Sequence, residues 1–180
     1  MIEKVVPFVH TVVRDYISKN DIVIDMTMGN GNDTLFLLLI SKHVYSFDVL
    51  DQAINSTKEL LEQHFIDNVT LIKDTHLNVD LYVQDKVSCI LFNLGYLPGG
   101  DKNLTTKPTE TIEALEKALV LLNNKGIISI TVYPGHENGK IESELLLNYV
   151  TSLSSKDYNV VTYKFINKNN SPYNIFIEKN

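Results

Sequence analysis

One stretch of the chain concentrates residues able to hold a small polar ligand: Val23-Ile-Asp-Met-Thr-Met-Gly-Asn-Gly-Asn-Asp-Thr34. It lies between a β-branched run, Ile22 to Met26, and a helical pattern, Asp33 to Ser41, so it reads as a strand-to-helix turn. Gly29 and Gly31 allow the turn to be tight and let a ligand approach the backbone without interference from a Cβ. A pyrophosphate-binding turn of this type wants a third small residue three positions after the second glycine, and Thr34 stands there. An acid, Asp25, ends the strand four residues before Gly29; it would repel a phosphate held at the helix start. A ligand without phosphate that carries an ammonium and a sulfonium suits Asp25, Thr27, Asn30, Asn32 and Asp33 better. That description fits S-adenosylmethionine. Asn32 and Asp33 have a second reading, as simple caps of the helix.

The next strand ends in Phe47-Asp-Val-Leu-Asp-Gln-Ala53. A carboxylate ~20 residues after the glycine turn is placed to take both hydroxyls of an adenosine ribose. Asp48 is the first candidate, and Asp51 and Gln52 are close enough to share the ribose or touch the adenine. Asp51 alternatively caps the following helix. The third strand runs into Lys73-Asp-Thr-His76, where Asp74 would meet the adenine amino group beside Thr75. His76 would lie over the adenine ring or close the turn.

The acceptor side is expected beyond the fourth strand, because open α/β sheets do their chemistry at the carboxyl ends of the strands. Val87-Ser-Cys-Ile-Leu-Phe-Asn93 is apolar until its last residue and then enters Leu94-Gly-Tyr-Leu-Pro-Gly-Gly100. Asn93 is expected to hold a target amine and Tyr96 to stack on a base, although a plain strand-ending turn would use the same residues. Tyr133-Pro-Gly-His136 forms another polar loop on that edge, with His136 a candidate for RNA contact or proton removal, or a turn histidine. His10, one turn before Arg14, would cover the cofactor, contact RNA or serve structure only. Cys89 reads as a small core residue. The five histidines show no ligand spacing, so no metal site is expected.

Positioning these groups requires a particular set of elements. Strands are expected over Ile22 to Met26, Val44 to Asp48, Val69 to Lys73, Val87 to Asn93, Gly126 to Tyr133, Asn159 to Ile166 and Asn174 to Glu178. Helical patterns occupy Asp33 to Ser41, Asp51 to Phe65, Thr109 to Asn123 and Asn138 to Ser154, with an extra helix within Glu3 to Lys19. Ile112, Leu115, Leu119 and Leu122 recur at the spacing of one buried helical face. Such alternation means an α/β fold with a mostly parallel sheet and helices on both faces. The last two strands are separated only by Asn167 to Tyr173, too short for a crossover helix, and must form an antiparallel hairpin. A seven-stranded, Rossmann-like sheet ending this way is the layout of class I S-adenosylmethionine-dependent methyltransferases.

With 180 residues the chain suits one domain. Hydrophobic residues make up 44% and charged residues 21%, ordinary for a soluble globular protein. No apolar run approaches the ~20 residues of a membrane helix, no signal peptide is visible, and a single cysteine excludes a disulfide framework. A cytoplasmic protein is expected, with no membrane partner; a homodimer is compatible with the sequence, which does not fix the oligomeric state. The net charge of −6 argues against holding nucleic acid by bulk charge and leaves room only for a local basic patch.

Taken together, these stretches resemble a bacterial family long labelled rRNA methylases and now associated with the tRNA 5-(aminomethyl)-2-thiouridine methyltransferase (MnmM). The resemblance rests on Asp25, Thr27, Gly29, Asn30, Gly31, Asp33 and Thr34, then Phe47, Asp48 and Gln52, then Asn93 to Pro98, Thr105 and Thr109. Tyr133, Gly135, His136, Asn169 and Pro172 complete it, so it spans nearly the whole chain. Met26, Lys168 and Ser171 depart from the family pattern. The resemblance implies methyl transfer from S-adenosylmethionine to the exocyclic amine of 5-aminomethyl-2-thiouridine at the wobble position, with the tRNA anticodon region as partner. Rival readings are a methyltransferase of the same build acting on rRNA or a small molecule, an NAD-binding oxidoreductase, and an inactive binding module.

Overall fold

The computed structural model describes residues 1–95 and 108–180. Tyr96, Pro98 and Thr105 therefore lie outside the described residues. The elements in chain order are α1 (Val5–Arg14), β1 (Ile22–Asp25), α2 (Asn32–Leu38), β2 (His43–Asp48), α3 (Asp51–Gln63), β3 (Val69–Lys73), a 3-10 turn (His76–Asn78) and α4 (Val79–Tyr82). They continue with β4 (Val87–Asn93), α5 (Pro108–Leu121), β5 (Leu122–Val132), α6 (Glu137–Thr151), β6 (Tyr158–Tyr163) and β7 (Tyr173–Lys179).

The seven strands form one sheet in the order β3-β2-β1-β4-β5-β7-β6. The first five are parallel, while β7 runs antiparallel to both β5 and β6. The expected hairpin is present, and it inserts its second strand between β5 and its first. Strand order reverses beside β1 and β4, which opens a crevice at their carboxyl ends.

Successive residues of the central strands feed opposite faces, as the pleat requires. Val23, Cys89 and Ile127 pack under α1, α2 and α3 with Val9, Leu37 and Leu61. Ile24, Ile90 and Ile128 pack on the other face with Val79, Leu115 and Leu146. Cys89 is fully buried, and burial pushes its thiol well above the ordinary range, so it is an inert core residue.

Two departures from the sequence expectation have local causes. Val79–Tyr82 is a single helical turn, too short for an amphipathic period to show. β5 begins at Leu122 rather than Gly126, because Leu122 pairs with Val87 before the register jumps to Cys89 opposite Ile127. Lys125 takes a positive φ of 63° inside that bulge. Leu122 therefore completes the apolar stripe of α5 from the first position of a strand.

Candidate active site at the carboxyl edge of the sheet

The turn between β1 and α2 is braced from several sides. Met26 N–H donates to the Leu91 carbonyl, Met28 N–H to that of Phe47, and Gly31 N–H to that of Met28. Gly29 N–H donates to Asp48 Oδ2 at 3.0 Å. These amides are spent inside the protein, so the turn offers little of the N–H cradle that a pyrophosphate requires. Gly31 has φ +81°, and a Cβ there would lie 2.8 Å from Thr57 Oγ1. Its missing side chain makes room for α3, not for a ligand, and Gly31 does not line the cavity.

Asp25 also stands apart from the cavity. It is fully buried beneath the turn, where Oδ1 accepts from Thr27 N at 3.1 Å and Oδ2 from Thr34 Oγ1 at 2.6 Å. Thr34 Oγ1 lies 2.7 Å from Ser46 Oγ, which completes a relay into β2. The expected ligand contact is thus replaced by a structural one: the carboxyl ties the turn, the helix and two strands together. Burial first, and the Asp33 carboxylate second, raise its pKa to about 7. A folded-state value above the unfolded one means that the folded protein binds the extra proton. The contribution of Asp25 to stability should therefore be largest below pH 4, fall between about pH 4 and pH 7, and level off above. Asp25→Asn can keep both hydrogen bonds, with its amide donating to Thr34, and carries no charge. Urea unfolding at several pH values should show the slope between pH 4 and 7 flattened in this variant, with a gain of a few kcal/mol near pH 8, at ~1.4 kcal/mol per unit of pKa.

The cavity above the turn, about 1190 Å³, is lined by residues from the ends of β1, β2, β4 and β5 and from the segment after β3. Thr27, Gly29, Asn30, Asn32, Asp33, Asp48, Asp74, Thr75, His76, Asn93 and His136 all line it, as expected from the sequence. Asp51 and Gln52 do not: both are exposed on α3, and Asp51 pairs with Lys73 at 2.7 Å. Asp51 is the first residue of α3, and Leu50 occupies the cap position before it without a side-chain hydrogen bond, so neither the ribose nor the capping reading describes Asp51. Asn32 and Asp33 do not act as side-chain caps either, since Gly31 occupies that position without a side-chain hydrogen bond.

Asp48 accepts from Gly29 N and Leu50 N, both at 3.0 Å, and keeps lone pairs toward the cavity. Asp74 is held by Thr75 N, Asn78 and Tyr82, and these hydrogen bonds keep its carboxyl below the usual range. Thr75 caps the 3-10 turn by accepting from Leu77 N. His76 is buried against the edge of Phe92 and hydrogen-bonds the Met26 backbone, while burial pushes its pKa down. Its Nε2 has no hydrogen-bond partner among the described residues. With the other ring nitrogen donating to a carbonyl, Nε2 is an acceptor that a ligand N–H can satisfy.

At the other end of the cavity, Asn93 is fixed by three partners. Its N–H donates to Thr27 Oγ1 at 2.7 Å, its Nδ2 donates to Asp33 Oδ2 at 2.9 Å, and its side chain hydrogen-bonds Tyr133. Asp33 Oδ1 accepts from His10 Nε2 at 2.7 Å. The His10 ring stacks on Phe36 at 3.8 Å, with the Arg14 guanidinium over the same ring. His10 therefore braces Asp33 from α1. His136 caps α6, its Nδ1 accepting from Gly139 N at 3.0 Å. A neutral imidazole that accepts at Nδ1 carries its proton at Nε2, so this geometry matches the turn-histidine reading and not that of a proton acceptor.

Tyr133, Glu110, Asn170 and Pro172 line the cavity without having been expected there. Tyr133 had a readable signal, since it directly follows β5, the neighbour of the strand that carries Asn93. The lining contains five acids, Asp33, Asp48, Asp74, Glu110 and Glu137, and no Lys or Arg among the described residues. That balance suits a sulfonium and an ammonium and opposes a pyrophosphate. Together with the unsatisfied His76 Nε2, the residues present fit S-adenosylmethionine.

Known proteins bear on this geometry directly. The family model "Putative rRNA methylase" matches residues 44–179. The chloroplastic tRNA (mnm(5)s(2)U34)-methyltransferase of Arabidopsis thaliana is 35% identical, over 98% of this chain and 70% of that protein. A Streptococcus mutans protein described as a putative methyltransferase, solved in complex with SAH, is 39% identical over 99% of both chains, with a TM-score of 0.94. A Clostridium thermocellum structure described as a putative rRNA-methylase shares 39% identity over 99% of both chains, with a TM-score of 0.97. The cofactor is S-adenosylmethionine, not NAD. Fold, family and cofactor agree: the chain is a class I S-adenosylmethionine-dependent methyltransferase and belongs to the tRNA 5-(aminomethyl)-2-thiouridine methyltransferase family, whose family model carries the rRNA methylase description.

Proposed function

We propose that the protein, working as a single cytoplasmic domain, methylates the exocyclic amine of 5-aminomethyl-2-thiouridine at the tRNA wobble position. The product is 5-methylaminomethyl-2-thiouridine. The observation that carries this reading is the fixed amide of Asn93 at the cavity end of β4, clamped by Thr27, Asp33 and Tyr133. The 35% identity to the chloroplastic tRNA (mnm(5)s(2)U34)-methyltransferase of Arabidopsis thaliana supports the choice of acceptor.

S-adenosylmethionine, when bound, supplies an electrophilic methyl group on sulfur. Asp48 is assigned to the ribose hydroxyls and His76 Nε2 to the adenine end, with Asp74 and Thr75 shaping the wall beside it. Asn30 and Asn32 stand at the glycine turn to meet the polar tail. On the acceptor side, the carboxylate of Asp33 fixes which end of the Asn93 amide faces it: Nδ2 must donate, so Oδ1 is left for an amine N–H. One N–H held by Oδ1 leaves the nitrogen lone pair to point at the methyl group. A primary amine with a pKa near that of lysine, ~10, arrives mostly protonated at pH 7, and only its neutral form attacks. A neutral amide does not favour the ammonium form as a carboxylate would. Tyr96, outside the described residues, is assigned to the thiouracil ring, and His136 to hydrogen-bond donation at the rim.

The test is nucleoside analysis of tRNA from a strain lacking this gene, followed by incubation of that tRNA with the purified protein and cofactor. 5-Aminomethyl-2-thiouridine should accumulate in the strain and disappear on incubation. Unchanged tRNA, with a methylated rRNA or small molecule instead, would replace the acceptor while leaving the enzyme class intact.

A further inference from the structure

A second hollow, about 450 Å³, adjoins the cofactor cavity and shares Asn170 with it. Its wall comes from the β6–β7 connection and from α6. Lys164, Lys168, Ser143 and Tyr173 supply the polar groups the argument uses. The electrostatics are the reverse of the cofactor cavity: among the described residues, two lysines and no acid line it. From Tyr158 to Ile177 the chain has no Asp or Glu at all, although it carries 22 acids in total.

Neither ammonium is neutralised by a described residue. Lys164 Nζ sits 5.4 Å from the centre of the Tyr173 ring and Lys168 Nζ 4.6 Å from that of Phe165, and neither forms an ion pair with a described residue. The aromatic faces hold the lysines in place without consuming their charge. Deeper in, Ser143 Oγ and Tyr173 OH are 2.8 Å apart. Whichever hydroxyl donates to the other, one O–H proton remains to be given elsewhere. Two free cations and a spare hydroxyl proton around one hollow make an anion site.

We propose that this hollow receives a backbone phosphate of the substrate RNA, on a nucleotide adjoining the one whose base enters the cofactor cavity. The inference rests on the tRNA reading above. It eases the conflict between an acidic protein and a polyanionic substrate: five acids line the cofactor cavity, and the RNA backbone is met beside it by two uncompensated lysines. Lys164 and Lys168 are positioning residues and leave the chemistry to the Asn93 end of the cavity.

The experiment uses the full protein, S-adenosylmethionine, and an anticodon stem–loop carrying 5-aminomethyl-2-thiouridine. Lys164→Gln with Lys168→Gln should raise KM for the stem–loop about tenfold or more, leave kcat within about twofold, and lower the salt slope of RNA binding by about one unit per lost phosphate contact. Lys→Arg at both positions should retain most of the wild-type KM. Replacing single phosphates by methylphosphonates should identify one linkage beside the target nucleotide that weakens the wild type and not the Gln variant. Normal KM and no such linkage, with the wild type active, would overturn the inference and leave the proposed function standing. A wild type inactive on the stem–loop overturns both. Competition by polyglutamate as effective as RNA, and equally dependent on the lysines, would assign the patch to an acidic protein and overturn the phosphate proposal.

Discussion

Asn93→Ala should lower kcat on aminomethyl-bearing tRNA by about two orders of magnitude while leaving the Kd for S-adenosylmethionine within about threefold. The variant removes the acceptor for the amine N–H and also frees Asp33 Oδ2, yet Asp33 remains held by His10 and the cofactor end of the cavity is untouched. Single-turnover kinetics with saturating cofactor would separate the chemical step from binding. Asn93→Asp carries the sharper signature. A carboxylate at this place stabilises the ammonium form of the amine and meets the like charge of Asp33, so the pH–rate profile should move to higher pH. Near-normal turnover in Asn93→Ala would remove this residue from the acceptor site whatever the fold.

Asp48→Ala is the corresponding experiment at the cofactor end. Each ribose hydroxyl donated to an ionised carboxylate is worth about 1.5–3 kcal/mol, so calorimetry should show affinity for S-adenosylmethionine weakened roughly a hundredfold or more. The same substitution strips the acceptor from Gly29 N and Leu50 N and should lower the unfolding temperature of the free protein as well. Gln52→Ala and Asp51→Ala, by contrast, lie off the cavity and serve as matched controls with unchanged affinity. An Asp48→Ala protein with ordinary affinity would move the ribose elsewhere.

What could be read from the chain divides along physical lines. The five parallel strands and the closing hairpin are legible because β-branched runs alternate with amphipathic stretches, and because Asn167 to Tyr173 is too short for a crossover. The start of β5 was hidden, since Leu122 fits a helical stripe and a strand pairing equally well. Residues one step either side of a turn were the least legible. Asp25 and Gly31 belong to the same motif as Gly29 and Asp33, yet one faces the core and the other faces Thr57, because the chain reverses direction between them. Sequence shows that a carboxylate is present; only the fold shows which way it points. Tyr133, just after β5, and Asn170, in the β6–β7 connection, reach the cavity from segments distant in sequence, and His136 changes from acceptor to donor through one cap hydrogen bond that spacing cannot reveal.

The bracing of the β1–α2 turn has a consequence for the thermodynamics of ligand capture. Asp25, Asp48, Phe47, Leu91 and Thr57 already hold the segment in one conformation. The ordering entropy of that loop is therefore charged to folding, when the sheet and helices supply cohesion, and not to the encounter with the cofactor. Heat-capacity changes on binding should then reflect the burial of adenosine and methionine surface alone, without a coupled-folding contribution from the turn.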